Sequence, residues 1–254
     1  MKNRIVFTLS LLLLFAIQSC NKKNVKTVSG NSTVIDSLPV NNEFEETAEE
    51  FEENDPEEPN VTYPKTGNKI ADFLPKLGVY EVQYEAEGDL NNDGLADLAV
   101  VLKHKESNLL KRPMLILLQN EDKSYRLDKV SNTVIPIEYN EHDYKLYDTE
   151  DISIEKGELQ INLYGGGPSG TFLSAFKYLG NDFILNSMEA YASGAGGRSG
   201  FFYDFEKGEI TTTETNTMKE DEPTTSETVK VKAKLYSFEN MAIIDFFSQE
   251  ENES

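Results

Sequence analysis

A chain of 254 residues with 45 acidic against 24 basic side chains carries a formal charge of −21. That balance excludes binding to nucleic acid or to an anionic membrane surface by charge, because both need basic patches, and it favours solubility and attraction of cations. A single cysteine excludes a disulfide within the chain, and two histidines offer little for acid–base chemistry.

Residues 1–19 read as an export signal. Lys2 and Arg4 form a positive start, and the mostly apolar run over residues 5–17 is too short to span a bilayer comfortably. The run ends Ile17-Gln18-Ser19-Cys20, which resembles a bacterial lipobox. On that likeness Cys20 carries lipid and becomes the first residue of the mature protein, anchored in the outer membrane and facing the periplasm. Residues 20–62 then read as a disordered tether. Residues 43–58 hold ten acids and no base, too little apolar surface to offset the entropy of ordering.

The remainder, residues 63–254, reads as a mainly β domain. Residues 68–77 (NKIADFLPKL) predict a short N-terminal helix capped by Asn68 and stopped by Pro75. From Val79 onward the pattern is β. Residues 79–84 lead into a polar loop, residues 97–103 lead out of it, and residues 114–118 (MLILL) predict a central strand.

Shorter strands follow in pairs: 152–154 with 159–163, 172–178 with 183–185, and 201–205 with 210–213. Gly157, Gly180 and Gly208 stand at the junctions, where a hairpin needs a positive φ. The pattern describes antiparallel meander sheets folded into a sandwich or half-barrel. The polar residues 216–228 predict a long loop, residues 229–238 a final strand, and residues 241–247 a strand or a short closing helix.

The polar loop carries the chemistry. Asp89, Asn91, Asp93, Leu95 and Asp97 occupy positions 1, 3, 5, 7 and 9, with Gly94 at position 6. Side chains at alternate positions of a curled loop converge. Three carboxylates, an amide and the Leu95 carbonyl make an all-oxygen set suited to calcium, which accepts six to eight oxygens in loose geometry. An EF-hand would need a glutamate at position 12, where Val100 stands. The alternative is an Asx-rich turn without metal.

The pattern D-x-N-x-D-G-x-x-D ahead of an apolar strand is similar to the calcium loop of FG-GAP/VCBS-type repeats in integrin-like propellers. One copy is present, whereas a propeller repeats its blade four to eight times. The chain also resembles secreted bacterial proteins with a single such loop before a β-rich domain. Ala71-Asp72-Phe73-Leu74-Pro75 and Tyr203-Asp204-Phe205 ahead of Lys207-Gly208 carry that likeness, which implies no reaction.

Two glycine runs invite other readings. Gly165-Gly166-Gly167-Pro168-Ser169-Gly170 lacks the final glycine of a nucleophile elbow, since residue 171 is threonine. The run from Gly194 to Gly200 has Ser199 where a dinucleotide motif needs its third glycine. Both read as wide loops, which the glycines simply let turn; the functional alternative is that they meet at one sheet edge and, with Arg198, shape a ligand surface. His104 and His142 have no helical partner spacing for zinc and read as surface residues. The expected protein is a lipid-anchored envelope module with a structural calcium site, a binding or scaffold module whose candidate partners are an envelope protein or a glycan. The alternative is a hydrolase whose active site is assembled from residues distant in sequence.

Overall fold

The computed structural model describes residues 61–246, apart from Leu77, residues 167–169, Ala195 and Ala233. The export signal, Cys20 and nearly all of the tether lie outside the described residues. Among those described, no helix is long and apolar enough to cross a membrane.

Two antiparallel sheets make up the fold, and neither closes into a barrel. The first is formed by β1 (Thr66–Gly67), β2 (Tyr80–Gly88), β3 (Asp97–His104), β4 (Met114–Gln119) and β5 (Tyr125–Ser131), in the order β1-β5-β4-β3-β2. The second is a seven-stranded meander in simple sequence order. It contains β6 (Thr149–Glu155), β7 (Glu158–Tyr164), β8 (Thr171–Leu179), β9 (Asp182–Gly194), β10 (Gly197–Asp204), β11 (Glu209–Asn216) and β12 (Thr224–Lys230).

Side-chain alternation explains which faces meet. In β7, Leu159, Ile161 and Leu163 are fully buried while the residues between them are not, as period-two patterning requires of a sheet with one wet face. β3 and β4 behave differently, because their continuous apolar runs bury both faces. Ala99, Val101, Met114, Ile116 and Leu118 point into the main core shared with the second sheet. Leu98, Val100, Leu102, Leu115 and Leu117 form a second cluster on the opposite face, covered by Phe73, Tyr80 and the partly buried Val61, Tyr63, Ile70, Leu74 and Val79. The first sheet is therefore the middle of three layers.

Three expectations need correction. The helix over 68–77 is a single 3-10 turn, Ile70–Phe73, and its cap is Asp72, whose carboxylate accepts the N–H groups of Asn68 and Lys69. Residues 216–228 do not form one long loop. Their second half enters β12, which pairs with β11 without a break, because β-branched threonines match across the strands: the hydroxyls of Thr211 and Thr228 lie 2.9 Å apart and those of Thr215 and Thr224 2.8 Å. In place of a final strand over 229–238, the chain makes one isolated bridge, Ile184 with Ser237, and places Tyr236 and Phe238 in the core. The closing helix at 241–247 is a 3-10 turn, Ile243–Asp245. The three hairpin glycines do take positive φ: 81° at Gly157, 64° at Gly180 and 60° at Gly208.

Polar contacts fasten the sheets to each other. Arg112, before β4, is 2% exposed and grips Glu150 of β6 with two hydrogen bonds of 2.5 and 2.7 Å. Its Nε donates to the Pro136 carbonyl at 2.7 Å and its Nη1 to Gln83 at 3.2 Å. Burial, and then the negative charge on Glu150, push the nearby Tyr84 hydroxyl above its ordinary pKa. On another part of the interface, Tyr178 of β8 donates to Asp128 of β5 at 2.7 Å.

Removing one member of a buried pair costs about 3–5 kcal/mol, whereas replacing both by apolar residues is near neutral. Glu150→Gln is therefore expected to lower thermal stability by about that amount. Arg112→Met combined with Glu150→Leu should recover most of the loss in the same melting experiment.

Candidate metal centre

The loop of interest connects two paired strands. Gly88 at the end of β2 sits opposite Asp97 at the start of β3, and the residues between them form the connection. Two left-handed positions let it curl, Asn92 at φ 60° and Gly94 at φ 85°. Asparagine and glycine are the residues that tolerate this region.

Three of the expected side chains come together. Asp89 accepts the N–H of Asp93 at 3.1 Å on one oxygen and the N–H of Gly94 at 2.9 Å on the other. Asn91 accepts the N–H of Asp93 at 3.0 Å, and its amide donates to the Asp93 carboxylate at 2.9 Å. Asp93 accepts the N–H of Leu95 at 2.8 Å. The loop thus winds its backbone around its own acceptors, leaving Asp93 and Gly94 exposed and Asp89 and Asn91 half-buried.

Asp97 has a different position. It is fully buried, and its two oxygens accept the N–H of Leu90 and the N–H of Gln119, each at 2.9 Å. Burial raises its pKa above the ordinary value, with Asp93 adding to the effect, while the hydrogen bonds from Gln119 and Leu90 oppose it. Asp97 therefore joins the loop to the end of β4. Each carboxylate oxygen has two lone-pair directions, so this bonding leaves it acceptor capacity. Among the described residues, no group of three or more His, Cys, Asp or Glu side chains is set to hold a metal ion. The convergent set is two carboxylates joined by an amide.

The loop is also braced by the second sheet. A Cβ on Gly157, in the β6–β7 turn, would sit 2.9 Å from the Asn92 side-chain nitrogen. A Cβ on Gly88 would meet Ile154 of β6 at 2.5 Å. These approaches place the loop where the edges of the two sheets meet, which linear spacing does not disclose. The Arg112–Glu150 pair likewise had no local signal, since its members stand 38 residues apart.

The glycine runs lie at the opposite end of the second sheet from the β6–β7 turn. The 165–170 connection is closed by the Gly165 N–H bonding the Gly170 carbonyl at 2.9 Å, and a Cβ on Gly170 would come within 2.9 Å of the Tyr191 carbonyl. Both runs lie at that end of the sheet, but residues 194–200 are not a wide loop. Gly194 ends β9 and Gly197 begins β10, so the run is a tight hairpin turn continuing into strand. Arg198 is paired with Glu222 across that end.

His104 lies edge-on to Tyr80, and its Nδ1 accepts the Glu106 N–H at 3.2 Å. His142 is exposed beside Glu141. Of the residues carrying the wider resemblance, Asp72 caps the first 3-10 turn and Asp204 accepts the Lys207 N–H at 3.0 Å in the β10–β11 turn.

The loop's two kinds of aspartate make opposite predictions. Asp97→Ala leaves two inward N–H groups without an acceptor, at about 1–3 kcal/mol each. Asp93→Ala removes an exposed side chain and should cost less than about 1 kcal/mol. Urea denaturation in the presence of chelator is expected to show that order.

No protein-family model matches this chain, and neither a curated protein nor a solved structure matches it.

Proposed function

We propose that the chain is an exported, lipid-anchored envelope module whose sandwich holds calcium in the β2–β3 loop for structural purposes. The observation that carries this reading is the winding of residues 89–95 around the Asp89, Asn91 and Asp93 side chains. Asp89, Asn91, Asp93 and the Leu95 carbonyl would hold the ion, with Asp97 closing the set from the buried side. All of these donors are hard oxygens, the chemistry calcium prefers, and the exposed side of the loop leaves room for water ligands. Bound calcium would supply positive charge that relieves repulsion between Asp89 and Asp93. A structural role is favoured because the loop holds no histidine to serve as a base beside an open ligand position.

In this reading the lipid sits on Cys20, and residues 21–62 space the sandwich from the membrane. The end of the second sheet carrying the 165–170 connection and the β9–β10 turn is offered to an envelope protein or glycan. Tyr164 and Tyr191 are 40% and 47% exposed there, and partly exposed aromatic rings suit either class of partner.

Extracellular calcium modules bind with dissociation constants of about 0.1–1 mM. With a constant of ~0.1 mM and ~1 mM free calcium, linkage adds about 1.4 kcal/mol, or roughly 3–5 °C in melting temperature at this size. Calorimetry and melting with calcium, magnesium and chelator test the site. Calcium should stabilise the wild type and leave Asp93→Ala unmoved. Equal melting temperatures in calcium and in chelator, with no calcium uptake, would return the loop to an ordinary Asx turn.

Anchoring is tested separately by fractionating cells that express Cys20→Ala. The wild type should follow the membranes, and the variant should be released or remain unprocessed.

A further inference from the structure

The ladder between β8 and β9 is broken once. Ala175 faces Ser187 and Phe176 faces Leu185, so Asn186 is an extra residue opposite no residue of β8. A bulge of this kind re-aims a side chain. Phe176 and Leu185 lie in the main core, and alternation puts Ala175 and Lys177 on the outer face of the sheet. Asn186 turns to that face, because its Nδ2 donates to Glu158 of β7 at 2.7 Å, reaching across β8.

Lys177 stands opposite Glu158 in the β7–β8 ladder, yet its ammonium extends the other way, to Glu206 just past the end of β10. Phe205, the residue before Glu206, donates its N–H to the Asn186 main-chain carbonyl at 2.9 Å. Two side-chain bridges from opposite directions therefore meet around Asn186. The face beneath them is dry. Ala175, and Ile184 between the core residues Phe183 and Leu185, are 3% and 1% exposed and belong to neither core cluster. The Lys177 side chain is 22% exposed. Asn186 Oδ1 is shut from water and has no hydrogen-bond partner among the described residues. A buried acceptor left open in this way is uncommon and marks a site of strain or chemistry.

We propose that Lys177 and Asn186 condense without an enzyme, forming an isopeptide bond that ties β8 to β9. The lysine amine adds to the side-chain carbonyl carbon of Asn186, the bond from that carbon to Nδ2 breaks, and ammonia leaves. Glu206, on the Lys177 ammonium, takes the proton that frees the amine as a nucleophile. Glu158, on Nδ2, relays the second amine proton to the departing nitrogen. The proton held by Glu206 then returns to the ammonia, so one ammonium ion is released and neither carboxylate is consumed. Neighbouring strands hold the amine, the carboxamide and both carboxylates together, which makes the condensation effectively unimolecular.

Mass spectrometry of the purified full chain is the test. Trypsin cuts the unmodified chain after Lys156, Lys177 and Arg198. The wild type is expected to yield residues 157–198 as one uncut peptide, lighter than its sequence by one ammonia. Lys177→Arg and Asn186→Ala should each be cut at residue 177 and have full mass. Glu158→Gln still offers the carboxamide an acceptor but cannot relay a proton, and it should form the bond at least about 100-fold more slowly. A wild type of full mass, cut at Lys177, would overturn the proposal, and that result needs no variant to fold. Ammonia loss that persists in Lys177→Arg would mean that Asn186 closes on its own backbone, and would overturn it too. So would Glu158→Gln condensing at the wild-type rate.

Discussion

Taking a guanidinium and a carboxylate out of water costs several kcal/mol for each ion, so a buried pair persists only when its remaining donors and acceptors are engaged. Arg112 and Glu150 meet that condition. The guanidinium is shared among a carboxylate, a main-chain carbonyl and an amide. A bidentate contact tolerates little sliding, so it fixes β6 against the connection that precedes β4. The Gly88–Ile154 approach and the seat of Asn92 against Gly157 both need that alignment. An apolar core alone would hold the sheets together without dictating their offset, since hydrophobic attraction has no direction.

Much of the fold was legible in local pattern. Alternating burial in β7, the double-sided runs of β3 and β4, and glycines at three hairpin turns are properties of neighbouring residues, and neighbours are what a sequence displays. The convergence of Asp89, Asn91 and Asp93 belongs to the same class, because a short loop leaves alternate side chains few directions. Asp97 did not yield to the same logic. Its spacing places it in the loop, yet its bonding partner at Gln119 lies in another strand. Side chains that bond across strands are recognised only once the pairing is known.

The errors have a common physical origin. Residues 216–228 are polar, and polarity predicts loop. β12 is exposed at every position, so hydrophobicity carries no information about it. The signal lies instead in the side-chain shape of the threonines, which favours extended backbone whatever its exposure. The run 194–200 departs from expectation for a related reason: glycine permits wide loops and also permits strands to approach closely. Gly200 is such a case, where a Cβ would lie 2.5 Å from the Thr213 hydroxyl. The 3-10 turn at Ile70–Phe73 shows helical spacing cut short, because Leu74 already has extended angles at φ −65° and ψ 139°.

The cover laid over the outer face of the first sheet gives the molecule a direction of mechanical weakness. Tension entering from the N-terminal side reaches Val61 and Tyr63 first, then the two-residue β1. Because β1 is only two residues long at that sheet's margin, few backbone bonds hold it against such a load. Peeling would strip the layer from Leu98, Val100, Leu102, Leu115 and Leu117 while leaving the main core intact. A pull of modest strength would thus turn a covered apolar surface into an exposed one before the sandwich itself gave way.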